Sequence, residues 1–142
     1  MSKTNFENLR VYQLAEQLAD LIWNIVIKWD YFPKITIGKQ IVTACDGVGS
    51  NIAEGTGRSS LEDNRRFIRI ARGSLYETKH WLRRSHKRKL LTEEEVKQLK
   101  PVMEELIPKL NAYYRSIDTA IAGKKSKNKE QSAKNKVQST KL

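Results

Sequence analysis

From Leu9 to Trp29 the apolar residues recur every three or four positions: Leu9, Tyr12, Ala15, Leu18, Ala19, Ile22, Ile25, Val26 and Trp29. That spacing predicts an amphipathic helix. Leu14 and Leu21 widen one edge of its apolar face, Tyr12 and Trp23 the other. At ~100° per residue the arc reaches about 200°, roughly twice the stripe a surface helix needs. One subunit's core would not cover it, so this helix is expected to face a neighbouring subunit as well. Phe32-Pro33 is expected to end it, because proline disfavours helical geometry in the residue before it.

A second helical pattern runs from about Ile37 to Glu54, with Ile41, Ala44, Cys45, Val48 and Ile52 on one side. Gly47 and Gly49 interrupt it, each at roughly 1 kcal/mol relative to alanine, and are also read as letting another backbone approach closely. Gly55-Thr56-Gly57 reads as a break. Ser59 with Glu62 predicts a capping box opening a third helix, from about Leu61 to Lys87. Thr92 with Glu95 predicts another for the fourth, which runs to about Ile121. Pro101 and Pro108 lie inside that fourth helix and predict a bend or break near one of them. Beyond Gly123 the chain is almost free of apolar residues, a composition expected to stay disordered. No strand-like alternation occurs. Long helices with short connections pack as antiparallel neighbours. The expected fold is therefore all-α, an antiparallel up-down-up-down four-helix bundle over residues 1–122, with a disordered lysine-rich tail over 123–142.

The net charge of +11 is localised. Residues 58–89 carry +8 and residues 123–142 carry +6, whereas 1–57 and 90–122 carry −1 and −2. On the third helix Arg65, Arg69, Arg72, Lys79, Arg83 and Lys87 fall within about ±40° of one line, and Tyr76 lies on it too. Phe67, Ile70, Ala71, Ser74, Thr78, Trp81 and Leu82 take the opposite side as the expected core face. The stripe is ~33 Å long at 1.5 Å per residue, enough to meet several phosphates. Arginine can bond phosphate through two N–H groups and stack on bases, and Tyr76 offers a stacking surface. Nucleic acid is the expected partner, RNA favoured over DNA, with the lysine tail adding long-range attraction. The competing reading is a solvated face whose arginines pair with acids on the first or fourth helix.

Other chemistries find little footing. His80 and His86 lie six apart with no third ligand type beside them, so no metal site is expected. Gly55-Thr56-Gly57 lacks the lysine and preceding strand of a phosphate loop. Cys45 sits in an apolar stripe beside Asp46 with no nearby cation, and reads as a buried structural thiol. No enzyme activity and no cofactor are expected. The single cysteine has no internal disulfide partner, which fits a cytoplasmic setting. No apolar run approaches the ~20 residues of a membrane span, and no signal peptide is apparent.

Phe6-Glu7-Asn8-Leu9 with Val11-Tyr12, Gln40-Ile41, Asn51-Ile52-Ala53-Glu54-Gly55 with Gly57-Arg58, and the run from Phe67 to Glu77 together carry a resemblance. Over residues 5–120 the chain resembles the bacterial four-helix bundle proteins encoded by intervening sequences in 23S ribosomal RNA genes. That family is similar in turn to accessory proteins of diversity-generating retroelements, which partner a reverse transcriptase and bind nucleic acid. The resemblance implies a ring-like homo-oligomer, a homopentamer, and offers an alternative role as a scaffold or accessory subunit for a reverse transcriptase. Gly47, Gly49, Pro101 and the lysine tail depart from the family pattern. Asn51, Glu54, Gly73, Ser74 and Glu77 form a polar set on neighbouring helices. It reads as a structural contact, with Gly73 expected to let the second and third helices approach closely.

Overall fold

Backbone polar groups at a helix start need partners, and here they are met in several ways. The structure, a computed structural model, describes residues 6–140. A 3₁₀ turn at Phe6–Asn8 leads into α1 (Arg10–Val26), and the Gln13 side chain donates to the Glu7 carbonyl at 3.1 Å. α1 ends three residues short of the expected Trp29, and Pro33 does not terminate it. Proline instead sits in a short α-helical turn, Tyr31–Pro33, where the missing N–H costs little. A π-helical segment, Lys34–Gly38, follows and runs directly into α2 (Lys39–Thr56). The second helical stretch therefore begins six residues before the expected Ile37. The Thr36 hydroxyl donates to the Phe32 carbonyl at 2.7 Å inside this wider turn.

Neither Gly47 nor Gly49 interrupts α2, which continues through Gly55 to Thr56. Helix α3 (Leu61–Lys87) is capped by Ser60 rather than the expected Ser59: its side chain accepts from the Asp63 N–H at 3.1 Å. Helix α4 (Glu93–Thr140) opens on the expected capping box. Thr92 accepts from the Glu95 N–H at 3.1 Å, and Glu95 accepts from the Thr92 N–H at 2.8 Å.

Pro101 and Pro108 do not break α4. They are seven residues apart, so they share a face, and both are exposed. The carbonyls of Lys97 and Glu104, which lose their helical donors, lie on that wet side and can bond water. The tail is likewise helical rather than disordered through Thr140. After Gly123 it contains neither glycine nor proline, and its Lys, Gln, Glu and Ala extend a helix already nucleated by the bundle. Residues 122–137 are all exposed, so this extension adds no core.

Consecutive helices pack together and α1 also packs on α4, with α2 against α3 the most extensive pair. Leu14, Leu18, Ile22, Ile41, Ile52, Ile68, Leu75, Leu106 and Leu110 are fully buried at the centre. Each such side chain stabilises the fold by ~1.5–3 kcal/mol. Arg10 clamps the α1–α4 seam by donating twice to Glu105, at 2.9 and 2.8 Å, which holds that carboxyl below its ordinary range. Among the described residues no helix is long and apolar enough to cross a membrane.

The core face of α3 corrects the pattern reading. Ile68, Ala71, Leu75, Thr78 and Ser85 are buried, whereas Ile70 is exposed and Phe67 and Trp81 are only half-buried. The true face is turned about 50° toward the basic stripe, at 100° per residue. Thr78 and Ser85 can be buried because their hydroxyls donate to the Ser74 and Trp81 carbonyls, at 2.8 and 2.7 Å.

The close approach of α2 to α3 is made by α2's glycines, not by Gly73. A methyl on Gly55 would lie 2.9 Å from the Phe67 Cβ, and one on Gly47 would lie 3.2 Å from the Ser74 Oγ. A methyl on Gly73 would meet nothing within 4 Å. Gly73→Ala is therefore expected to stabilise the protein by ~0.5–1 kcal/mol, since alanine loses less entropy in a helix. Chemical denaturation reads this directly. A destabilised Gly73→Ala would show that this position is crowded.

Candidate nucleic-acid interface

Because the α3 core face turns toward the stripe, the stripe does not point straight away from the bundle. It runs along the seam with α4, and four of its seven members find partners there. Arg65 donates to Asp118 at 2.8 Å, which raises the guanidinium's pKa further. Arg69 donates twice to the Tyr114 hydroxyl, at 3.0 and 3.3 Å. Arg72 lies over the Tyr114 ring, 4.3 Å from its centroid. Tyr76 accepts at its hydroxyl from the Asn111 side chain at 3.3 Å, and its ring is still 48% exposed.

Lys79, Arg83 and Lys87 continue the line toward the C-terminal end of α3, all exposed. The competing reading anticipated acids of α4 beside the stripe, as Asp118 is, but not the roles of Asn111 and Tyr114. Asn111, Tyr114 and Asp118 recur at i, i+3 and i+7 beside the buried Leu110 and Ile117, a spacing that puts them on one flank. Arg66 was also missed. It lies over Phe67 at 4.5 Å, with Arg58 on the same ring at 4.8 Å.

The neutralisation expected of a mere solvated face is small. Of the eleven Lys and Arg in residues 58–89, three have a carboxylate within ion-pair distance among the described residues. These are Arg58 with Glu54, Arg65 with Asp118, and Arg66 with Asp63. Arg69 and Arg72 contact Tyr114 rather than a carboxylate, and side chains held this way lose less entropy when they meet phosphate. The surface thus offers a fixed row of arginines, an exposed tyrosine and free lysines.

Of the polar set on α2 and α3, Asn51 and Ser74 meet beside Gly47, a structural contact, whereas Glu54 and Gly73 lie elsewhere. Asn51 donates to the Gly47 carbonyl at 2.7 Å and Glu54 pairs with Arg58, both local to α2's end. Gly73 is exposed and Ser74 faces Gly47. His80 stacks edge-on to Trp81, and His86 approaches Glu93 at 3.3 Å. Among the described residues no group of His, Cys, Asp or Glu could hold a metal ion.

Cys45 is buried, and burial with Asp46 and Asp20 nearby pushes its thiol up to about 12. Near pH 8 only about one thiol in ten thousand is then thiolate. A thiol reagent is expected to label native protein far more slowly than unfolded protein. Rapid native labelling would show an accessible, activated cysteine instead.

A protein-family profile described as 23S rRNA-intervening sequence protein matches residues 7–112. Among solved structures, one of a protein of unknown function from the S23 ribosomal protein family of Bacteroides thetaiotaomicron VPI-5482 superposes with a TM-score of 0.65. The match covers 73% of this chain and 97% of that one at 23% identity, a likeness of fold. No curated protein matches the sequence.

Proposed function

The chain belongs to the 23S rRNA-intervening sequence protein family, and we propose that it is a non-enzymatic, oligomeric nucleic-acid-binding protein that prefers RNA. The observation that carries this reading is the row of cations along the α3–α4 seam, most of which lack an acidic partner. Localised positive charge binds polyanions by releasing their counterions. Tyr76 and the tyrosine-supported arginines add surfaces on which unpaired bases can stack, which favours single-stranded or looped RNA. The α4 extension carries six described lysines on a rod reaching ~28 Å past Ile121, the last core residue.

Assembly fits the apolar surface left over. Trp23 is 53% exposed, and Ile27, Tyr31, Phe32 and Ile35 next to it in sequence are exposed as well. A run of large apolar side chains open to water marks an interaction surface. In this reading the up-down bundles join there into a ring, which repeats the basic seam and multiplies weak contacts.

The test is a salt titration of binding to structured RNA, single-stranded RNA and duplex DNA, with assembly mass measured in parallel. Tight binding that weakens steeply with salt is expected. Removing residues 124–142 is expected to reduce the slope of log K against log salt by several units, at ~0.7–0.9 per lost phosphate contact, without changing the ranking of ligands. A well-folded protein that binds none of the three at low salt would end the nucleic-acid reading.

A further inference from the structure

A groove of about 490 Å³ separates the C-terminal half of α3 from the N-terminal half of α4. Its floor is apolar: Leu82, Leu91, Val96, Leu99, Met103 and Ile107. Lys79 and Arg83 stand on the α3 side and Lys100 on the α4 side. The acids nearby are few. Glu104 sits 3.9 Å from Lys100, and His86 on the rim is 3.3 Å from Glu93. Lys79 and Arg83 have no carboxylate within ion-pair distance among the described residues.

We propose that this groove docks an acidic amphipathic helix of a partner protein. The α4 wall spans Val96 to Ile107, ~17 Å, or about three turns of helix. Val96, Leu99, Met103 and Ile107 follow one another at three- and four-residue steps. Leu99 and Met103 are buried at the floor and half-buried Val96 and Ile107 flank them, so the apolar stripe of an opposing helix would seat its side chains into the groove. Met103 adds an unbranched, polarizable side chain that adapts to the residues set against it. The basic rim then selects a partner with carboxylates flanking its apolar stripe. Two other occupants fit less well. An apolar floor offers nothing to phosphate. A second copy's exposed patch, residues 23–35, carries Lys28 and Lys34 against Asp30 and so lacks the acidic character the rim asks for. The rim shares Lys79 and Arg83 with the basic seam, so the two readings are separated at the apolar floor, which only the groove uses.

The probe is a labelled synthetic peptide of about three helical turns, with leucine at i, i+3, i+7 and glutamate between. A scrambled peptide of identical composition is the control, and full-length protein is titrated by fluorescence anisotropy. The ordered peptide is expected to bind at least ~10-fold tighter than the scrambled one. Val96→Trp, which fills the groove without changing charge, and Lys100→Glu are each expected to weaken it ~10-fold or more. Val96→Trp should leave RNA affinity unchanged, which separates this proposal from the previous one. Circular dichroism confirms that both variants fold. Equal binding of the two peptides would reduce the site to charge attraction and overturn the proposal. Undiminished binding to both variants would also overturn it. A change of assembly mass in Val96→Trp would assign the groove to a second copy and overturn it as well.

Discussion

Replacing Arg69, Lys79, Arg83 and Lys87 together by glutamate is expected to weaken binding to structured RNA by a factor on the order of 100 or more, with the fold retained. Each reversal removes a phosphate contact, worth ~0.7–0.9 in the salt slope, and adds a repelling charge. The slope should therefore fall by about three units. The four residues are exposed, and among the described residues none has a carboxylate within ion-pair distance. Arg69 alone loses a recorded contact, its bonds to Tyr114. The expected change in melting temperature is within a few degrees, since exposed polar contacts contribute ~1 kcal/mol or less. Arg65 is left out on purpose: Arg65→Glu would set a carboxylate against Asp118 and mix a structural effect with a binding one. A folded quadruple variant with unchanged affinity would remove these four residues from consideration and turn attention to the α4 extension.

Gly55→Leu is expected to destabilise the protein by at least ~2 kcal/mol, lowering the melting temperature by roughly 6 °C or more. Any side chain there begins with a Cβ that lies 2.9 Å from the Phe67 Cβ and 3.1 Å from the Asn64 carbonyl oxygen. Neither is the free end of a flexible side chain. Both are fixed to the α3 backbone, so the two helices must separate. Separation opens the packing around Ile52 and Ile68, which are fully buried. Gly55→Ala should show the same sign at smaller size, because alanine's better helix propensity offsets ~1 kcal/mol of the clash. The contrast with Gly73→Ala is the sharper measurement: two glycine substitutions on the same pair of helices, with opposite signs. A neutral Gly55→Leu would mean that α2 and α3 are not held at this spacing.

Much of the architecture was legible from spacing alone. Four helices, their order, the Thr92–Glu95 cap and a buried Cys45 follow from apolar period and local hydrogen-bond chemistry, both written in consecutive residues. α1's apolar arc is indeed wider than the core covers: of its edge residues Leu14 is buried whereas Trp23 is exposed. Pro33 does not end α1, and Pro101 and Pro108 do not break α4, because a proline's effect depends on what surrounds it. Pro33 falls in a first turn where no donor is needed, and Pro101 and Pro108 face water that can satisfy the orphaned carbonyls.

The chain by itself determined which segments are helical and where positive charge is concentrated, because periodicity and charge are properties of the sequence. Only the tertiary structure decided how α3 is rotated about its axis. Ile68 and Leu75 turn inward and Ile70 outward because α3 packs against α2 on one side and α4 on the other, contacts across elements that no local pattern encodes. That rotation carries the basic row from the far side of the helix to the seam with α4, against Asn111, Tyr114 and Asp118. Helical spacing could place the arginines on one line; what that line would face was settled by which helices pack on either side of α3.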